Sequence, residues 1–313
     1  MRVVVTGGAG FLGAHLGRAL TARADKVTCL DVAGSSPLLE GVEGLDLLRC
    51  DIGWWPELLL AIEEAQPEVI FHTAGILSAF AEDRPHAAYR ANATGTLNVL
   101  EAARIFEARV VFTSTIATYG PGVPDTVDET TQQRPTTMYG VSKVFGELLG
   151  EYHLRRFGVD FRAIRLPSVI GPGRGPGGAS AYSSLIVSEP ARGRSFNVPL
   201  NEQATIPLVY VKDAVDALIQ ISEAQARDLS RRTYGLGGFS PTAGELAEAV
   251  RVAVADADIS FEPDPTLMEI VESWPQRIDG EQARNDWGWK ESFGLAEAVS
   301  DFVSEIRAHP DWP

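Results

Sequence analysis

Tyr139 and Lys143 stand four residues apart in Met138-Tyr139-Gly140-Val141-Ser142-Lys143, so on a helix they share one face, a single turn apart. A phenol with an ordinary pKa near 10 is a poor base at neutral pH. An ammonium about 4 Å away, at an effective dielectric near 20, supplies about 4 kcal/mol, enough to lower that pKa by roughly three units. The pair therefore reads as a proton acceptor, Tyr139, activated by Lys143. Tyr/Lys pairs at this spacing also occur on solvated helix faces, so the neighbouring motifs have to decide. Thr115, in Val111-Phe112-Thr113-Ser114-Thr115, closes an apolar strand where a hydroxyl would orient a substrate oxygen; Ser114 is the second choice, and Thr113 reads as core-facing.

The chain opens with the strand Val3-Val4-Val5-Thr6 followed at once by Gly7-Gly8-Ala9-Gly10-Phe11-Leu12-Gly13. That context, strand before and helix after, makes the glycine pattern a pyrophosphate cradle: Gly7 for the tight turn, Gly10 for close backbone approach, Gly13 for helix–strand packing, with the free N–H groups near Phe11 and Leu12 facing the phosphates. Asp31 ends the second strand, where a carboxylate would accept from ribose hydroxyls and repel a 2′-phosphate, favouring NAD over NADP; its other reading is a turn cap. Asp51-Ile52 follows the third strand and would reach the adenine, or else Asp51 is an N-cap. Thr73-Ala74-Gly75 supplies small residues at the end of the fourth strand, and His72 before them reads as a satisfied core histidine. Asn92 is a polar residue early in a long apolar helix, either bridging backbone near the site or capping a kink.

These groups need an alternating scaffold, and the pattern provides one. Strands are expected at 3–6, 26–30, 45–50, 68–72, 109–113 and 160–166, with helices at 11–23, 56–65, 86–106 and 137–157 between them. The expected class is α/β, a Rossmann-type doubly wound parallel sheet over residues 1–166, with a smaller C-terminal substrate lobe over 167–313 and a segment, 204–225, returning to the sheet. The seam is Gly171-Pro172-Gly173-Arg174-Gly175-Pro176-Gly177-Gly178, a loop too rich in breakers for helix or strand. Beyond it a helix is expected near 180–192, a strand at 204–211 and a helix from Asp213.

Composition narrows the partners. With 42 acidic against 27 basic residues and a net charge of −15, the surface repels nucleic acid and anionic membranes. No apolar run reaches membrane-spanning length, and a strand directly after Met1 leaves no room for a signal peptide, so a cytoplasmic location is expected. Cys29 and Cys50, set among apolar residues, read as buried thiols, and His15, His72, His86, His153 and His309 are too scattered to hold a metal.

Together the motifs resemble the extended short-chain dehydrogenase/reductases, the NAD-dependent epimerase/dehydratase family, over nearly the whole chain. Within it, Phe71-His72-Thr73-Ala74-Gly75-Ile76-Leu77-Ser78-Ala79, Arg134-Pro135-Thr136-Thr137-Met138-Tyr139-Gly140, Ser273-Trp274-Pro275 and Ala283-Arg284-Asn285-Asp286-Trp287-Gly288-Trp289 are similar to short-chain L-threonine 3-dehydrogenases. The resemblance implies oxidation of a secondary alcohol to a ketone with NAD: Tyr139 as base, Thr115 holding the hydroxyl, Lys143 holding the nicotinamide ribose, and Ser78, Ser180, Tyr182 and Trp274 around a small-molecule substrate. It also implies a homodimer, joined through the helices at 86–106 and 137–157. One departure bears on the substrate. Where those enzymes carry Thr-Thr-Asp-Tyr, this chain has Ala179-Ser180-Ala181-Tyr182, keeping a hydroxyl and losing an acid, and the following Ser183-Ser184-Leu185-Ile186 looks more like D-erythronate-type sugar-acid dehydrogenases. Nucleotide-sugar epimerases and dehydratases share the fold and the tyrosine but usually present a basic residue before the late strand; here Ala204-Thr205-Ile206-Pro207-Leu208-Val209-Tyr210-Val211 has none, leaving Arg192 and Arg194 as candidates for a diphosphate.

Overall fold

Val3 and Val5 point to one apolar cluster and Val4 to another, which is why the first strand is apolar throughout instead of alternating: it is buried on both faces. The computed structural model describes Met1–Pro313. The chain runs β1 (Arg2–Thr6), α1 (Phe11–Ala22), β2 (Lys26–Asp31), β3 (Leu45–Arg49), α2 (Trp55–Ala65), β4 (Val69–His72), α3 (Ser78–Asp83), α4 (Pro85–Ala88), a π-helical turn (Tyr89–Thr94), α5 (Gly95–Phe106), β5 (Arg109–Thr115), β6 (Thr126–Val127), α6 (Met138–Phe157), β7 (Phe161–Leu166) and β8 (Ser168–Ile170). There follow α7 (Tyr182–Ala191), β9 (Phe196–Val198), β10 (Leu208–Tyr210), α8 (Val211–Glu223), β11 (Thr233–Gly235), α9 (Ala243–Ala253), β12 (Ile259–Phe261), α10 (Pro265–Glu272), β13 (Arg277–Ile278), α11 (Glu281–Trp287) and α12 (Leu295–Ala308).

Seven strands form one parallel sheet in the order β11-β7-β5-β4-β1-β2-β3. The direction of winding reverses between β1 and β4, and that switch point opens a crevice at the strands' carboxyl ends. α1 and α8 pack on one face, and the apolar cluster there continues into α7, α9 and α12; α2 and α5 cover the other face beside α6.

α6 is built the reverse of an ordinary surface helix. Its sheet-facing residues include Gly140, Lys143, Gly146, Glu147 and Gly150, whereas Val141, Phe145, Leu148 and Tyr152 are exposed. The glycines permit close approach: a Cβ at Gly150 would lie 2.3 Å from the Phe161 ring, and one at Gly140 would lie 2.1 Å from the Ala117 carbonyl oxygen. Gly140 therefore brings the start of α6, with Tyr139, hard against the end of β5.

Two expectations need correction. The strand expected at 204–211 shortens to β10 and pairs with β8 in a separate two-stranded sheet, so the part of 204–225 that meets the main sheet is α8, packed against β5 and β7, while the added edge strand is β11. The helix expected at 86–106 is interrupted by the π-helical turn. Cys29 and Cys50 are buried free thiols, each pushed up to about 12 by burial.

Candidate active site

A cleft of about 780 Å³ occupies the switch-point crevice, and its walls include Gly7, Gly10, Phe11, Leu12, Gly13, Asp31, Asp51, Ile52, Thr73, Ala74 and Gly75. The glycine loop is fixed by close contact: Gly7 takes φ 72°, and a Cβ on Gly13 would fall 2.2 Å from the Gly7 carbonyl oxygen. No side chain caps the N-terminus of α1, and its first turn carries no acid, so its N–H groups and partial positive charge remain for a pyrophosphate. Asp31 is held at the tip of β2 by the N–H groups of Ala9 (3.1 Å) and Ala33 (3.0 Å). Asp51 accepts from Gly53 N–H at 2.9 Å and pairs with Arg90 at 2.5 Å, a partner that spacing in the sequence does not suggest. These residues fit a dinucleotide.

At the other end of the cleft lie Thr115, Tyr139 and Lys143, together with Ser78, Ser180 and Trp274. Thr115 is the last residue of β5, two beyond the expected end of that strand, and its Oγ1 accepts from Ala117 N–H at 3.2 Å. Thr137 caps α6 by accepting from Gly140 N–H at 3.1 Å. Ser114 is taken by a different task, donating to the Glu147 carboxylate, and Thr113 is buried with its hydroxyl on the His72 carbonyl at 3.1 Å.

The electrostatics depart from the sequence reading. Lys143 Nζ donates to the Thr113 carbonyl at 2.7 Å and lies 4.6 Å from the centre of the Phe112 ring and 5.7 Å from that of Tyr139. Burial lowers the Lys143 ammonium to about 8, with Glu147 acting in the opposite direction. Burial likewise pushes the Tyr139 phenol up to about 12, and the groups drawing it back are the Thr115 hydroxyl and the Arg174 charge, not Lys143. Desolvation thus outweighs the lysine in the protein alone, and the expected activation by a nearby ammonium is corrected accordingly.

The NAD dependent epimerase/dehydratase family model matches residues 3–237. The chain belongs to that family, and its cofactor is NAD. It is similar to the mitochondrial L-threonine 3-dehydrogenase of Bos taurus, with 35% identity over 97% of this chain and 82% of the relative. Among solved structures it resembles the holo form of a GalE-like L-threonine dehydrogenase from Cupriavidus necator, at TM-score 0.92 and 33% identity, covering 98% of this chain and 100% of that one. It also resembles a nucleoside-diphosphate-sugar epimerase from Agrobacterium tumefaciens, at TM-score 0.88 and 30% identity, covering 99% and 95%.

Two residues expected around the ligands of this family member lie elsewhere. Tyr182 begins α7 and is buried in the main apolar cluster, because the helix starts at that residue and not at Ser180. Asn92 does not itself line the cleft, but it bridges backbone beside the site, the first of the two readings given for it. Its amide grips Ile76 through both N–H (2.8 Å) and carbonyl (3.0 Å) and donates to Ser142 at 3.0 Å, so it clamps the Thr73–Leu77 loop to α6 from behind. Arg192 and Arg194 are also outside the cleft, bonded to the C-terminal carbonyls and to Glu189. His72 is the core histidine expected: its ring bridges Thr6 (2.8 Å) and Thr96 (2.9 Å), and since the Thr96 hydroxyl donates to the Asn92 carbonyl at 2.5 Å, His72 must donate to Thr96 through Nε2–H and accept at Nδ1. Its lowering to about 3 by burial keeps it neutral. Among the cleft residues that sequence reasoning missed are Arg84, Arg90 and Arg174, the last of them in the breaker-rich loop. The signal for Arg174 was present: it is the single charged residue of that loop.

Proposed function

We propose that this NAD-dependent dehydrogenase oxidises the secondary alcohol of a small polar 3-hydroxy acid, L-threonine or a related sugar acid, to the ketone. The observation that carries the reading is the meeting of Tyr139, Thr115, Ser180 and Trp274 on one cleft with the glycine loop. Residues 1–166 would hold the cofactor, and the part beyond them would contribute Ser180 and Trp274 to the substrate. The bound dinucleotide supplies the hydride acceptor. Thr115 positions the substrate oxygen and Tyr139 takes its proton at the phenolic oxygen; Lys143, anchored on Thr113, stands one turn further along α6.

Following NADH formation with L-threonine, D-erythronate and UDP-glucose tests the reading. Turnover of a hydroxy acid with NAD, and little with NADP, is expected. Interconversion of a UDP-sugar without net NADH would replace it by the epimerase reading, which the Agrobacterium neighbour keeps in view.

α6, where Leu148 is 60% exposed, packs beside α5, which exposes Leu97 and Ile105. Such an apolar face on paired helices supports a homodimer closed about a two-fold axis. Sedimentation at micromolar concentration should give about twice the 33.7 kDa chain mass, and Leu148→Asp should return it to one. A parent protein that sediments as a single chain would reject the dimer.

A further inference from the structure

Four cationic side chains line the cleft; two are occupied within the protein and a third lies in solvent. Lys143 is spent on the Thr113 carbonyl, Arg90 is paired with Asp51, and Arg84 is exposed to solvent at the end of α3. Arg174 is the fourth, and it has no carboxylate partner. Its Nη2 donates to Ser180 Oγ at 3.1 Å, its guanidinium carbon lies 5.9 Å from the centre of the Phe11 ring, and its Nε is buried with no partner. The loop that carries it, from Gly171 to Ala181, contains no acid. Arg174 is half-buried, and a guanidinium whose Nε–H is shut off from solvent with no acceptor is costly unless an anion arrives to take it.

We propose that Arg174, with Ser180, is the substrate's carboxylate site, the feature that makes this cleft select small hydroxy acids over neutral alcohols of the same shape. This rests on the alcohol-oxidation reading above and deepens it. The guanidinium offers a planar pair of donors matched to a carboxylate, and Ser180 Oγ, already held by Nη2, has a hydroxyl proton to give the same anion. The nearness of Arg174 to Tyr139 then fixes the distance from the carboxylate to the reacting hydroxyl, so length and charge are read together. Its glycine and proline neighbours leave the backbone free of bulk on the cleft side. The dinucleotide pyrophosphate is the competing anion, since Phe11 adjoins both.

The test uses binding as well as turnover. With NADH bound to the parent enzyme, butanoate should bind roughly 100-fold more tightly than butanamide by calorimetry; Arg174→Gln should erase that preference and Arg174→Lys should restore part of it. NADH affinity should stay within a few fold in both variants. Equal binding of butanoate and butanamide by the parent, or loss of tenfold or more in NADH affinity on Arg174→Gln, would overturn the assignment, the latter giving Arg174 to the pyrophosphate. If no hydroxy acid is oxidised yet the Arg174-dependent preference for butanoate is present, the anion site stands and the oxidation reading falls. If hydroxy acids are oxidised with unchanged KM by Arg174→Gln, the site falls and the oxidation reading stands.

Discussion

Tyr139→Phe should lower kcat for alcohol oxidation by roughly 10³-fold while NAD affinity moves by no more than a few fold, because the substitution removes the proton acceptor and little else. The pH profile gives an independent check. The Tyr139 phenol stands at about 12 in the protein alone, so only a small fraction is ionised at neutral pH. Below its pKa the ionised fraction grows tenfold per pH unit; oxidation, which needs the phenolate, should therefore climb with pH, whereas ketone reduction, which needs the protonated phenol, should stay flat until pH approaches that pKa. Near-parental rates from Tyr139→Phe would show that another group takes the proton.

The second large effect is on stability. Arg165 and Glu147 are 7% and 4% exposed and meet at 2.8 Å, with further bonds from Arg165 Nε, Gln133 and the Ser114 hydroxyl to the same carboxylate and from Arg165 to the Tyr119 hydroxyl. Glu147→Ala would leave a buried guanidinium without its counter-ion, at a cost of about 3–5 kcal/mol in urea unfolding. Replacing both, Glu147→Gln with Arg165→Met, should recover much of that loss. An unchanged midpoint for Glu147→Ala would mean that the pair adds no stability. Since Glu147 also supports the Lys143 charge and lies two turns from Tyr139, this ion pair is the anchor that holds the chemical face of α6 to β5 and β7.

What could be read in the sequence was local. Six strands and four helices of the first half, the glycine loop, Asp31 and the Tyr139/Lys143 spacing are short-range patterns, and their positions hold to within a residue or two apart from the β5 end and the interrupted helix. What escaped depended on distant contacts. β10 reads like a sheet strand but finds β8 as its neighbour; Tyr182 follows a glycine loop yet turns inward. The phenol's ionisation was misjudged for the same reason. A charge four residues away is visible in the sequence, whereas the depth at which both groups lie is not.

The π-helical turn at Tyr89–Thr94 has a consequence for how this helix can vary. A wide turn of this kind amounts to one surplus residue wound into the helix. Rewinding the same residues as a regular α-helix would rotate everything beyond the turn by about 100°. Leu97 and Ile105 would then leave the outer face, whereas deleting the surplus residue would let the helix wind regularly with α5 kept in place, so this turn is where the helix can absorb a change of one residue in length.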